Sequence, residues 1–189
     1  MPPDSPFIVR KAAVLGAGVM GAQIAAHLAN AGVPAVLYEL PAKEGDPNGN
    51  VLKAIENLKK LEPSPLATKS RADFIQAANY GQHLEQLREC DIVIEAIAER
   101  MDWKADLYKK VAPYIGDHAI FASNTSGLSI NRLSESFPEQ LRKRFCGVHF
   151  FNPPRYMHLV ELIPAAGTDA AMLDDLEKFL VTTLGKGVI

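Results

Sequence analysis

The chain has 189 residues, 48% of them hydrophobic and 22% charged, enough to bury one sizeable core. A net charge of −2 gives no electrostatic footing for nucleic acid or an anionic membrane. Cys90 and Cys146 are too few and too far apart for a metal-ligand cluster; their apolar, strand-like surroundings predict buried free thiols in a reducing compartment.

Met1-Pro2-Pro3-Asp4-Ser5-Pro6 lacks the basic-then-apolar layout of a signal peptide, so a cytoplasmic location is expected. Lys11 to Leu15 is a short apolar strand pattern. It breaks into Gly16-Ala17-Gly18-Val19-Met20-Gly21, with glycines spaced G-x-G-x-x-G. Ile24, His27, Leu28 and Ala31 then recur at helical spacing up to Gly32, a C-cap. This layout suits a dinucleotide whose pyrophosphate sits on a helix N-terminus. Gly16 allows the tight turn, and Gly18 lets backbone N–H groups approach the phosphates. Gly21 lets the helix pack close to the sheet, and Val19 and Met20 belong to the same phosphate loop. A second strand, Pro34 to Tyr38, ends in Glu39, 23 residues after Gly16, where an acidic residue meets the adenosine ribose diol. A carboxylate there accepts from both hydroxyls of NAD and repels the 2′-phosphate of NADP, so NAD is the predicted cofactor. Ala12 to Tyr38 contains no Asp, Glu, Lys or Arg, as a membrane span would not. Four glycines and Pro34 interrupt it, and a strand followed by a helix explains it better.

Pro41 to Asn50 is a polar loop, and Val51 to Leu61 has a helical period that Pro63-Ser64-Pro65 ends. Arg71 to Ala78 reads as a helical turn or two, and Gln82 to Arg88 as another. Asp91 to Ile97 is a nearly all-apolar run, as in a parallel strand covered on both faces. Asp102 to Ala112 reads as a helix, His118 to Ala122 as a strand, and Phe145–Phe151 and Leu159–Ile163 as two more. Thr168 to Thr183 carries Leu173, Leu176, Leu180 and Leu184 on one stripe, with Gly185 closing it. Gly185 to Ile189 then reads as a strand just beginning, so the chain is expected to be the front part of a longer protein. The alternation predicts an α/β fold with a doubly wound, mostly parallel sheet, its ligands beyond the carboxyl ends of the strands.

Three features there can carry chemistry. His149, in Gly147-Val148-His149-Phe150-Phe151-Asn152-Pro153, can be a satisfied core histidine. Glu161, however, lies twelve residues on, inside another apolar strand, where a carboxylate needs a partner. If the two strands are neighbours the pair can meet, the carboxylate fixing the imidazole tautomer so that the other nitrogen removes a proton from a substrate hydroxyl. Beside a nicotinamide, that is alcohol oxidation. Ser123-Asn124-Thr125-Ser126-Gly127 follows a strand and serves equally as a helix N-cap and turn or as a polar site for substrate oxygen or cofactor.

The glycine motif, Glu95-Ala96-Ile97-Ala98-Glu99, Ser123-Asn124-Thr125-Ser126 and His149-Phe150-Phe151-Asn152-Pro153 together resemble the 3-hydroxyacyl-CoA dehydrogenase family. The match runs from about Val9 to Ile189, and the chain particularly resembles the dehydrogenase part of long bacterial proteins that also carry an enoyl-CoA hydratase segment; none is visible here. The resemblance implies a Rossmann-type NAD-binding domain over residues 1–189 and oxidation of (S)-3-hydroxyacyl-CoA in fatty-acid β-oxidation. It implies that His149 is the general base, Glu161 its orienting partner, and that Ser126 hydrogen-bonds the substrate oxygen, with Asn152 at the same site. Glu99 and Lys104 are implied along the cofactor and CoA path, and Asn124 near the nicotinamide ribose. Glu39 stands where the family usually has Asp, with longer reach. The family's C-terminal helical domain, which supplies most of a homodimer interface and part of the acyl-CoA cleft, is absent, so this chain alone is expected to bind NAD and turn over poorly. A cofactor-binding module without turnover, or a hydroxyacid dehydrogenase with a Lys base, are the alternatives.

Overall fold

Short apolar runs, each followed by a helix, set the architecture. The computed structural model describes residues 7–189, so the reading of Met1 to Pro6 as lacking a signal peptide lies outside it. Strands Ala12–Leu15 (β1), Ala35–Glu39 (β2), Ile92–Glu95 (β4) and Ile120–Ser123 (β5) are buried almost throughout, because helices cover both faces of the sheet. Ile75–Asn79 (β3) forms the edge beyond β2, and Phe145–Phe150 (β6), Leu159–Pro164 (β7) and Gly187–Val188 (β8) extend the other side. The sheet runs β3-β2-β1-β4-β5-β6-β7-β8. Pairing is parallel from β3 to β6; β7 is antiparallel to β6, and β8 runs with β7. This is the doubly wound order, which reverses direction between β1 and β4 and opens a crevice there.

Val19–Asn30 (α1), Gly49–Leu58 (α2) and Ala170–Thr182 (α6) pack on one face, with Ile24, Leu28, Ile55 and Leu180 in its core. Met101–Val111 (α3), Ile130–Ser134 (α4) and Glu139–Arg142 (α5) cover the other. Tyr108, Phe121, Phe137 and Phe145 stack or meet edge-on there. Helix α6 starts at an Asp169 cap whose carboxylate accepts from Ala171 N–H at 2.8 Å. Register aligns the carboxyl ends: Leu15 sits level with Tyr38 and Glu95, and Glu95 with Ser123. The segments that leave these strands therefore emerge along one edge.

The predicted helical turns over Arg71 to Ala78 need correction. A 3₁₀ turn occupies Lys69–Phe74, and Ile75–Asn79 is a parallel strand in register with Ala35–Glu39. Gln76, Ala77, Ala78 and Asn79 have poor strand propensity; pairing with β2 imposes the extended backbone, a tertiary effect invisible locally. A second 3₁₀ turn, Leu84–Glu89, falls where Gln82 to Arg88 was expected to be helical. Cys90 and Cys146 are buried free thiols. No helix among the described residues is long and apolar enough to cross a membrane.

Candidate functional site

The three glycines divide their work. Gly16 has φ +103°, and a Cβ there would come 2.9 Å from the Ala96 carbonyl oxygen. At Gly21 a Cβ would lie 1.7 Å from the Gly16 carbonyl oxygen, so only hydrogen lets α1 start this close to β1. At Gly18 a Cβ would meet nothing within 4 Å. The fold does not need glycine at that position; the open space in front of it does. Helix α1 begins right after Gly18 with no side-chain cap and no acidic residue in its first turn. Its first N–H groups are thus left to an anion, and the cradle fits a pyrophosphate.

Glu39, ending β2, turns back toward this cradle. Its Oε2 accepts from Ala17 N–H at 2.9 Å and its Oε1 from Leu40 N–H at 2.8 Å. With Gly16, Gly18, Tyr80, Trp103 and Leu107 it lines a mostly apolar cavity of about 520 Å³. A second cavity of about 260 Å³ is lined by Met20, Glu99, Asn124, Ser126, His149 and Asn152. Ala96 and Ile97, just after β4, line both. The two are halves of one crevice across the switch point.

The antiparallel pairing of β6 and β7 sets His149 directly opposite Glu161. Nδ1 lies 2.7 Å from Glu161 Oε2. An ionised carboxylate can only accept, so in the neutral imidazole Nδ1 carries the proton and Nε2 keeps its lone pair. The Phe151 ring flanks the imidazole at 4.6 Å between centroids. The Asn124 amide oxygen accepts from Phe150 N–H at 2.8 Å, which fixes the side chain and leaves its NH₂ without a partner among the described residues.

Ser126 is exposed on a turn that Glu99 clamps. Glu99 Oε2 accepts from the Thr125 hydroxyl at 2.7 Å and from Ser126 and Gly127 N–H at 3.2 and 3.3 Å. Burial pushes the Glu99 carboxyl up, but Thr125, the Lys104 charge and the two N–H groups outweigh it and hold it below the usual range. Lys104 itself is buried, 1% exposed, and lines neither cavity. Its ammonium donates to Glu95 Oε1 at 2.5 Å and to the Ile97 carbonyl at 3.2 Å, and lies 3.5 Å from Glu99. It supports the site from beneath. Val19 likewise lies outside both cavities, exposed at the first position of α1, where only its backbone can serve a phosphate.

A family model described as 3-hydroxyacyl-CoA dehydrogenase, NAD binding domain, matches residues 11–189. The chain belongs to the 3-hydroxyacyl-CoA dehydrogenase family. Its cofactor is NAD. It is 44% identical over 182 residues to a putative fatty acid oxidation complex trifunctional enzyme of Rickettsia felis, covering 96% of this chain and 25% of that protein. It is 43% identical to a probable 3-hydroxyacyl-CoA dehydrogenase of Deinococcus radiodurans, covering 96% of this chain and 53% of that one. The crystal structure of (S)-3-hydroxybutyryl-CoA dehydrogenase from Ralstonia eutropha superposes with a TM-score of 0.79 at 32% identity, over 96% of this chain and 63% of that chain. The chain thus spans from a quarter to about half the length of these curated relatives.

Within this 3-hydroxyacyl-CoA dehydrogenase family domain, sequence reading missed two residues. Glu95 is fully buried and accepts from Lys104, Ile97 N–H, the Tyr108 hydroxyl at 2.5 Å and the Ser123 hydroxyl at 2.8 Å. It ties β4, α3 and β5 together under the crevice. The signal that marked Glu161, a carboxylate inside an apolar strand, was present at Glu95 too. Tyr80 carried no local signal, because its place beside Gly16 depends on β3. Among the described residues, no lysine lines the His149 cavity, so a Lys base has no candidate there.

Proposed function

We propose that this chain supplies the NAD site and the proton-handling pair for oxidation of (S)-3-hydroxyacyl-CoA to 3-ketoacyl-CoA in fatty-acid β-oxidation. The observation that carries this is the His149–Glu161 contact in a cavity continuous with the glycine cradle. When bound, NAD supplies the hydride acceptor. His149 Nε2 takes the proton of the 3-hydroxyl, while Glu161 holds Nδ1–H and stabilises the imidazolium that results. Ser126 hydrogen-bonds the same substrate oxygen with Asn152 beside it, and Glu99 keeps the Ser126 turn in place. Asn124 offers its NH₂ toward the nicotinamide ribose. Glu39 receives the adenosine ribose, and its negative charge disfavours a 2′-phosphate.

The names of relatives support an acyl-CoA substrate and a role in fatty-acid oxidation; a further one is a 3-hydroxybutyryl-CoA dehydrogenase of Bradyrhizobium diazoefficiens, 36% identical. We further propose a cytoplasmic setting, supported by the two free thiols, and a homodimer formed through a helical domain that follows residues 1–189. A binding module without turnover needs only the cradle; His149, held by Glu161 and lining the same cavity as Ser126, favours an enzyme.

The test is reduction of acetoacetyl-CoA, on this chain and on any longer protein that contains it, with NADH or NADPH and with free acetoacetate as control. We expect turnover of the CoA ester by the longer protein, poor turnover by the 189-residue chain, and at least tenfold preference for NADH, about 1.4 kcal/mol. NADH binding with no turnover of any CoA ester by the longer protein contradicts the proposal and favours the binding module.

A further inference from the structure

Helix α3 presents two stripes with different surroundings. Lys104, Tyr108 and Val111 recur at helical spacing and are buried. Trp103, Asp106, Leu107 and Lys110 form the neighbouring stripe, spaced i, i+3, i+4 and i+7, and all four line the cavity of about 520 Å³ that contains Gly18 and Glu39. Leu40, just after β2, lines it as well. Since β2 and β4 flank β1, the cavity takes one wall from the end of β2 and the other from the helix that follows β4.

These walls carry exposed apolar surface. Trp103 is 51% exposed and Leu40 64%, although both line one cavity. Two large apolar side chains left open on a shared cavity mark a place where an apolar surface comes to rest. The indole is also held still. The Arg100 guanidinium lies 4.5 Å from its ring centroid, and Asp102 fixes that guanidinium through bonds at 2.8 and 3.2 Å. Arg100 does not line the cavity, so the ring is pinned from outside it. Asp106 is exposed on the same wall, and its carboxylate makes no hydrogen bond or ion pair among the described residues, Lys110 one turn on included. With a pyrophosphate on the glycine cradle and a ribose at Glu39, the base is the next group along this cavity. A purine is flat and apolar on its faces and polar at its edge, which matches a slot of aromatic and aliphatic side chains with one acceptor on its wall.

We infer that this stripe of α3 reads the base of the dinucleotide: Trp103 packs against the adenine ring, and Asp106 accepts a hydrogen bond from its exocyclic amine. The assignment rests on reading the cavity as the dinucleotide site. It makes Asp106 a selector of adenine over a 6-oxo purine, which places a carbonyl oxygen where adenine has its amine. Two acceptors then face each other, and the bond is lost.

Trp103 is the single tryptophan of the chain, so the tryptophan emission of the 189-residue protein reports this wall alone. ADP-ribose, which carries the adenosine half without a nicotinamide, should change that emission saturably, at the concentrations where it displaces NADH. Nicotinamide mononucleotide should leave it unchanged. NADH should bind about three- to tenfold more tightly than reduced nicotinamide hypoxanthine dinucleotide. Asp106→Asn should bring that ratio close to one, because a side-chain amide accepts from an amine in one orientation and donates to a carbonyl in the other. Displacement of NADH by ADP-ribose with unaltered emission overturns the inference while the dinucleotide site stands, as does an equal response to nicotinamide mononucleotide. No preference in the parent protein, or a preference that survives in Asp106→Asn, overturns the role of Asp106. Failure of the parent protein to bind NADH removes the cavity reading itself, and the inference with it.

Discussion

Glu99 joins two jobs in one side chain: it faces the His149 cavity, and it holds the turn that presents Ser126. Its carboxyl sits below the ordinary value of 4.5 when folded, through the net effect of Thr125, Lys104 and two backbone N–H groups over burial. A depressed folded value means that Glu99 stabilises the fold above the unfolded-state value, and that this contribution is lost as pH falls through the folded value. The comparison is Glu99→Gln against the parent protein, by thermal unfolding from neutral pH to about pH 3. The Tm gap should be widest near neutrality and close on the acid side; it stays small because the carboxylate is half exposed and screened. Parallel curves at all pH values would show that the clamp does not depend on the charge. At this scale the sequence was readable where a side chain contradicts its own neighbours. Glu161 stands out in Leu159-Val160-Glu161-Leu162-Ile163, and the strand pairing then supplies His149. Glu95 stands out as much, but its partners Lys104, Tyr108 and Ser123 come from two other elements, and no spacing rule joins them.

The glycine turn and α1 form the element on which the proposed cofactor site depends, and the glycines should separate folding from binding. Gly21→Ala puts a methyl 1.7 Å from a backbone oxygen, which only a backbone shift relieves. We expect it to destabilise the protein by at least about 3 kcal/mol, a fall in Tm of roughly 6–12 °C. Gly18→Ala adds a methyl to open space at an ordinary φ of −72°. It should leave the ligand-free Tm unchanged and weaken NADH by on the order of tenfold or more, because the methyl occupies the approach of the phosphates. Equal effects of the two substitutions on Tm would contradict this division. This element was legible because its apolar strand, glycine spacing and helical period lie consecutively in sequence. The edge strand β3 was not. Ile75 to Asn79 has the composition of a weak helix and becomes a strand only because β2 offers it an unpaired edge.

The whole molecule is a sheet whose parallel strands finish along one edge, so that the glycine cradle, Glu39, the Ser126 turn and His149 come from four separate strand ends into one crevice. The alternation of strand and helix predicts that convergence, and the antiparallel return of β7 adds Glu161 to it. What the sequence leaves open is the depth of each residue. Lys104 is placed on the cofactor path by resemblance and is found beneath it, held by Glu95. If His149 is the base beside the proposed NAD site, binding and chemistry should separate on one substitution. The deciding measurement is the rate of acetoacetyl-CoA reduction by His149→Gln relative to the parent, in the longest protein containing this chain, with the NADH dissociation constant measured alongside. We expect a loss of about 10²- to 10⁴-fold in rate with an unchanged NADH constant. A variant that keeps near-parental rate would show that another group takes the proton, and the His149–Glu161 pair would then be part of the scaffold alone.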